Sequence, residues 1–422
     1  MRTVGSRRLA LLLALAAAVP ACAPRRSCAP AEVATSRYLA DLSLPPGAQS
    51  PVEPAALRDV AGEFRRRTAD RPAGRPYHVL ALSGGGLYGA FGVGVLLGWT
   101  EAGTRPQFDA VTGISIGGLM ATFAFLGPEY DHVLRRYTGG VRRSEVFRRR
   151  PLLALPFADA AFSSAPLARG IEEAVTAQVL CDVARGVGAG RRLYVGTTDL
   201  DTRRLVLWDM GAIAARGDAD ALDLYRAVVL ASCSVPGAMP PVRIPVEVDG
   251  RRYQEFHADG GASDSVIFRP FMVAELNRAA GVVGAVAPAG SVLYVVDNAK
   301  VYADAKCVRP RILPSVEASA RSLLYGKTRD ELHRIYLDCL QTGMDFRLTA
   351  IPQELPVGTS GSLYVSREEQ RVMVSAGYAA GRSAPQGDGW RDTPPGTEPS
   401  EQALPRAGTR FISGQPANEY PQ

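Results

Sequence analysis

Ser115 lies between two glycines in Gly113-Ile114-Ser115-Ile116-Gly117, and upstream of it runs Ser83-Gly84-Gly85-Gly86-Leu87-Tyr88-Gly89. A serine framed by Gly113 and Gly117 suits a sharp strand-to-helix elbow, where strained dihedrals and close backbone approach leave no room for side chains on either flank. Such an elbow exposes the hydroxyl for attack on a carbonyl carbon. The charge that develops on the carbonyl oxygen then needs fixed donors, and the backbone N–H groups of Gly84, Gly85 and Gly86 are candidates for that oxyanion hole. Neither segment is specific alone, but two such segments this close together are informative.

The glycine segment also fits the Gly-x-Gly-x-x-Gly pattern of a dinucleotide site, which requires an acid at the end of the second strand. Asp109 precedes Val111 at the start of that strand, the wrong edge for a ribose, and the correct edge carries Gly113-Ile114-Ser115. The nucleotide reading therefore fails. A nucleophilic serine still needs a base, and the chain has four histidines: His78, His132, His257 and His333. His333 lies in a stretch that reads as helix interior and His257 inside a strand, so none is well placed. Asp259 is a better candidate, a carboxylate at a strand end followed by Gly260 and Gly261, which let the chain turn away. As a lone motif Asp-Gly-Gly is usually only a turn.

The elements that must position these groups are legible as short apolar runs alternating with longer helical stretches. Strands are predicted at 78–82, 109–112, 192–198, 204–208, 253–258, 291–296 and 345–351. Helices are predicted at 54–67, 90–102, 116–126, 219–231, 270–280 and 315–343. This alternation implies an α/β domain whose mainly parallel sheet is covered on both faces.

Gly84 to Gly89, Gly113 to Gly117, Ala231-Ser232-Cys233-Ser234-Val235-Pro236-Gly237-Ala238-Met239-Pro240-Pro241 and Asp259-Gly260-Gly261 occur in the order seen in patatin-like phospholipases. Over about residues 77–275 the chain resembles that family. The resemblance implies a three-layer α/β/α sandwich, Ser115 as nucleophile and Asp259 as general base in a Ser-Asp dyad without histidine, and hydrolysis of lipid acyl esters without a cofactor. An acyltransferase on the same dyad and a catalytically silent lipid-binding envelope protein are the alternatives. The family's loop commonly carries Arg or Lys where this chain has Tyr88, which leaves head-group preference open.

The chain has 422 residues, 46% of them hydrophobic and 21% charged, ordinary for a globular protein. Its first 21 residues read as a signal peptide: Arg2, Arg7 and Arg8 precede the apolar run Leu9 to Val19. Val19-Pro20-Ala21-Cys22 resembles a bacterial lipobox, which implies lipidation at Cys22 and an envelope location, with a periplasmic or secreted protein as the alternative. The net charge of +6 includes those three arginines and no acid of the leader, so its removal leaves +3. That balance does not argue for nucleic acid. The run of Arg142, Arg143, Arg148, Arg149 and Arg150 suits either solvent or the anionic head groups of a membrane surface. The cysteine and histidine spacings match no metal site, and Cys307 and Cys339 flank a predicted helix as a candidate disulfide. The expected organisation is a leader at 1–21, a tether at 22–74, the core at 77–275, the rest of the α/β domain at 276–383 and a disordered tail at 384–422.

Overall fold

The computed structural model describes residues 39–41, 72–151, 158–303, 312–357, 362–383, 385, 387 and 389–395. The leader, Cys22 and the helix expected at 54–67 lie outside the described residues. The central strands are short runs buried on both faces: β1 (His78–Leu82), β2 (Ala110–Ile114) and β3 (Arg192–Asp199). They are joined by β4 (Arg204–Asp209), β5 (Val242–Val248), β6 (Arg251–Asp259), β7 (Val292–Asp297) and β8 (Asp345–Ala350). The order β8-β7-β1-β2-β3 is parallel throughout, and β4 closes antiparallel against β3. The backbone of Leu39–Asp41, expected within a tether, extends the sheet antiparallel to β4.

Strand alternation sends Leu80 and Leu82 to one face and Val79 and Ala81 to the other. The first face is covered by α1 (Ala90–Glu101), α2 (Ile116–Leu126), α3 (Ala165–Ala174), α4 (Ala177–Gly188) and α5 (Ala219–Ser232). The second is covered by α6 (Pro270–Ala279) and α7 (Ile312–Thr342). The result is the three-layer α/β/α arrangement with a mostly parallel sheet.

The last helix, α8 (Arg367–Arg382), packs across α1 with almost no side chain between them. Gly94 and Gly98 on α1 lie against the backbone of Val374 and Tyr378, and Gly377 and Gly381 on α8 lie against the backbone of Phe91 and Val95. A Cβ at any of the four would overlap a main-chain atom. Because α1 begins directly after the glycine loop, this contact fixes where the loop stands.

Two expectations are corrected. Cys339, on the buried face of α7, is a free thiol rather than half of the expected disulfide, and Cys307 lies outside the described residues. Order also continues past 384: Trp390 packs on Trp99 and Tyr294, with centroids 5.3 and 6.2 Å apart, and Arg391 bridges to Leu348. Its apolar ring gives this part of the Pro- and Gly-rich tail a reason to dock. Residues 396–422 lie outside the described residues.

Gly377→Val should force α1 and α8 apart and lower stability by about 3 kcal/mol or more, at the upper end of overpacking effects. Urea unfolding should show a lower midpoint with a smaller loss for Gly326→Val, whose position has open space around it.

Candidate active site

The two residues singled out for chemistry meet because two strands share one edge of β3. On that edge Ile114 of β2 pairs with Gly196 in parallel, and Asp259 of β6 pairs with the next residue, Thr197, antiparallel. β2 and β6 both end here, at adjacent positions along β3, so Ser115 and Asp259 emerge side by side. The Ser115 Oγ donates to Asp259 Oδ2 at 2.6 Å, and both residues are buried, at 6% and 5% exposure.

Ser115 occupies φ 55° and ψ −127°, a strained conformation for a residue with a Cβ. The elbow is held by Ser232 at the end of α5, whose Oγ accepts from the Ser115 N–H at 2.8 Å and donates to the Gly196 carbonyl at 2.7 Å. Gly113 is pressed against the Gly117 backbone, and Gly117 against the carbonyls of Leu82 and Ser83. Asp259 is held in turn by the Gly261 N–H on Oδ1 at 2.7 Å and by its own N–H donated to Ser234 at 2.8 Å. Gly260 passes so close to Gly196 that an added Cβ would lie 2.6 Å from its carbonyl oxygen. The Ala231 to Pro241 segment therefore braces both the serine and the aspartate, roles its composition did not disclose.

The glycine loop differs from expectation at one position. The Gly84 N–H donates to the Ser265 carbonyl at 3.0 Å, so it is not free to meet an oxyanion. The N–H groups of Gly85 and Gly86 have no hydrogen-bond partner among the described residues. Gly84 instead brings the loop beside the serine, its Cα close enough that an added Cβ would lie 3.3 Å from Ser115 Cβ. Tyr88 is buried.

Loop position is set by β7. Asn298 accepts from the Gly92 N–H at 3.0 Å and donates to the Ser83 carbonyl at 2.9 Å. The Ser83 hydroxyl lies 2.8 Å from both the Gly84 carbonyl and Asp297 Oδ1, yet it has one proton to give. A protonated Asp297 satisfies both contacts, and burial pushes its pKa up to about 7.

The histidines stand away from Ser115. His257 is buried between Thr197 Oγ1 and Glu255 Oε2, 3.0 Å from each. His78 meets the Tyr294 hydroxyl, and His132 and His333 bond local carbonyls. Asp109, at the start of β2, takes the His78 N–H and the Arg75 guanidinium. Among the described residues no group of three His, Cys, Asp or Glu could hold a metal ion.

One contributor comes from far along the chain. Lys327 on α7 donates to the Gly261 carbonyl at 3.1 Å and lies 3.5 Å from Glu331, which accepts the Ser265 N–H at 2.7 Å. One helix thus steadies the turn after Asp259 and, through Ser265, the start of the glycine loop. Burial raises the Asp259 pKa to about 6, against the opposing effects of the Ser115 and Gly261 hydrogen bonds and the Lys327 charge.

Ser115 lines a cavity of about 670 Å³. Its inner wall is apolar, built from Leu119, Met120, Phe123, Leu134, Phe147 and Ile171.

A strained serine at a strand-to-helix elbow, hydrogen-bonded to a buried aspartate beside a glycine loop, defines an α/β protein of the serine-elbow type. Residues 80–272 match the family model described as patatin-like phospholipase, so the chain carries a domain of that family, whose general activity is hydrolysis of lipid acyl esters. Among solved structures, VipD from Legionella pneumophila is similar at 13% identity and a TM-score of 0.32, over 73% of this chain and 66% of that one, just under two thirds of its length. No curated protein matches the chain.

The buried carboxylate should oppose stability in a way that depends on pH. Its folded pKa lies above the usual 3.8, so its contribution is full below that value and is lost as pH rises through about 6. Asp259→Asn should therefore be more stable than wild type at pH 8, by about 1 to 3 kcal/mol. Thermal melts across pH should show that advantage shrinking to nothing in acid.

Proposed function

We propose that the protein is a serine lipid acyl hydrolase in which Ser115 and Asp259 form a catalytic dyad and the N–H groups of Gly85 and Gly86 receive the oxyanion. The observation that carries this reading is the 2.6 Å hydrogen bond from Ser115 to a buried carboxylate, at the edge of an apolar cavity with no histidine in contact. Ser115 Oγ adds to the ester carbonyl carbon while its proton passes to Asp259. Collapse of the tetrahedral adduct expels the alcohol, which takes the proton from Asp259 and leaves an acyl-enzyme. Water then gives a proton to Asp259 as it attacks, and the second collapse releases the fatty acid and returns that proton to Ser115 Oγ. The N-terminus of α2 begins at the serine and adds its favourable field to the loop donors.

Burial suits Asp259 to this work, because an exposed carboxylate with a pKa near 4 is a feeble base at neutral pH. With a pKa of about 6 the group is still mostly ionised at pH 7 and a stronger base. The apolar cavity is suited to an acyl chain, and the anchor read at Cys22 would hold it near a membrane that supplies one.

A fluorophosphonate probe should label wild type and leave Ser115→Ala unlabelled, and phospholipid hydrolysis should fall by about 10,000-fold or more in that variant. Asp259→Asn should lose about 100-fold to 10,000-fold. Labelling that survives in Ser115→Ala would exclude the serine as nucleophile. In wild type, kcat/KM should decline about tenfold per pH unit below 6 as Asp259 takes a proton.

Lys327→Met removes a charge that lowers the Asp259 pKa, so the acid limb should move to higher pH. Lys327→Arg should keep the limb where it is; an unmoved limb in Lys327→Met would assign Lys327 a purely structural role.

A further inference from the structure

The outer part of the Ser115 cavity is unlike its interior. Four arginines line it and are exposed: Arg136, Arg142, Arg148 and Arg169. They come from three stretches of chain, the end of the short helix at 131–135, the segment 142–148 and helix α3. None forms an ion pair among the described residues. Some arginines elsewhere on the surface are paired, as in Arg216 with Asp218, Arg371 with Glu368 and Arg321 with Glu317, and what distinguishes the rim is that four unpaired ones line a single cavity. Two acids share the rim, Glu145 and Glu173. Glu145 accepts the Arg142 N–H at 2.8 Å and keeps its charge, so four guanidinium groups stand against two carboxylates, an excess of positive charge.

The rim is held in shape. Arg143 stacks on Tyr364 at 4.2 Å and on Phe147 at 5.5 Å, which pins the short helix Arg143–Val146 between Arg142 and Arg148. Phe147 also packs on Phe162 at 4.7 Å and lines the cavity wall, so the cationic rim and the apolar interior are parts of one construction. Tyr88 supplies no charge at the glycine loop, and the positive charge of the site is concentrated at the cavity mouth instead. Guanidinium groups bind phosphate oxygens bidentately and are less strongly hydrated than ammonium groups, so arginine is the side chain that such a rim requires.

We propose that the substrate of this site is an anionic glycerophospholipid, its phosphate-bearing head group held by Arg136, Arg142, Arg148 and Arg169 while an acyl chain enters the apolar cavity. This rests on the reading of Ser115 as the centre of an acyl hydrolase. The charge recognised is that of the substrate molecule itself, because the arginines line the cavity that holds it.

The test uses the full chain on vesicles holding phosphatidylglycerol and phosphatidylcholine together, with released lysolipids identified by mass and rates normalised to the sites labelled by an uncharged fluorophosphonate. Wild type should cleave phosphatidylglycerol about tenfold or more faster than phosphatidylcholine in the same vesicle. Arg148→Gln combined with Arg169→Gln should bring that ratio towards one, mainly through KM, and Arg252→Gln, on the remote β5–β6 hairpin, should leave it unchanged. Equal cleavage of both lipids by wild type would overturn the head-group assignment and leave the hydrolase reading intact. So would a ratio that persists in the double variant. Rapid cleavage of phosphatidylcholine whenever the surrounding vesicle is anionic would also overturn it, by assigning the rim to bulk membrane charge. A wild type that cleaves no ester would remove the hydrolase reading, and the head-group inference with it.

Discussion

One edge of β3 carries the arrangement on which everything else depends. β2 occupies it up to Gly196 and β6 takes it over at Thr197, running the other way. A parallel strand ending and an antiparallel strand ending at adjacent positions deliver two side chains to one point without a long loop. Backbone ladders are rigid, so the separation of Ser115 and Asp259 is set by register and not by side-chain adjustment. The remaining features keep that meeting point from relaxing: Ser232 ties the elbow to Gly196, and Ser234 ties the aspartate to the same turn.

The same junction concentrates unfavourable terms. A positive φ at a serine and a carboxylate taken out of water both work against folding. They persist because the surrounding contacts over-determine them, through bonded donors on Asp259 and close-packed glycines on either side of Ser115. The Asp259 carboxylate binds a proton more readily for the same reason that it opposes folding, its removal from water. Asp297 repeats the pattern at the end of β7, two strands from β2, where burial favours the proton that lets a single serine satisfy two neighbours.

Ser115 and Asp259 could be singled out in the sequence because local patterns mark their settings, an apolar run that reads as a buried strand, glycines where the chain must turn and a carboxylate at a strand end, and because the four segments occur in the order of a known family. The sheet's central strands were legible for the same reason. What escaped depends on tertiary placement. No local signal commits the Gly84 N–H to Ser265, and none says that Ser232 will reach Ser115 across 117 residues. Lys327 lies on a helix that was expected, but its position on the Gly261 turn follows from how α7 crosses the lower layer. Helix α8 was missed although Ser366 and Glu369 form a capping box at its start, a signal legible in the sequence; only its seating on α1 through Gly377 and Gly381 depends on tertiary placement.

The backbone contact between α1 and α8 also bears on the order in which the molecule can be built. A nascent chain that has reached Asp259 already contains both residues of the junction, yet its glycine loop still lacks Asn298 and Asp297, the latter 214 residues beyond Ser83. It lacks the helix against which α1 is seated as well. Parallel pairing over such separations is slow, because the loop must close before any contact rewards it. Organisation of the serine's surroundings is therefore a late event, coupled to completion of the C-terminal third of the chain. A product cut short before α8 would carry the motif without the loop support that the motif requires.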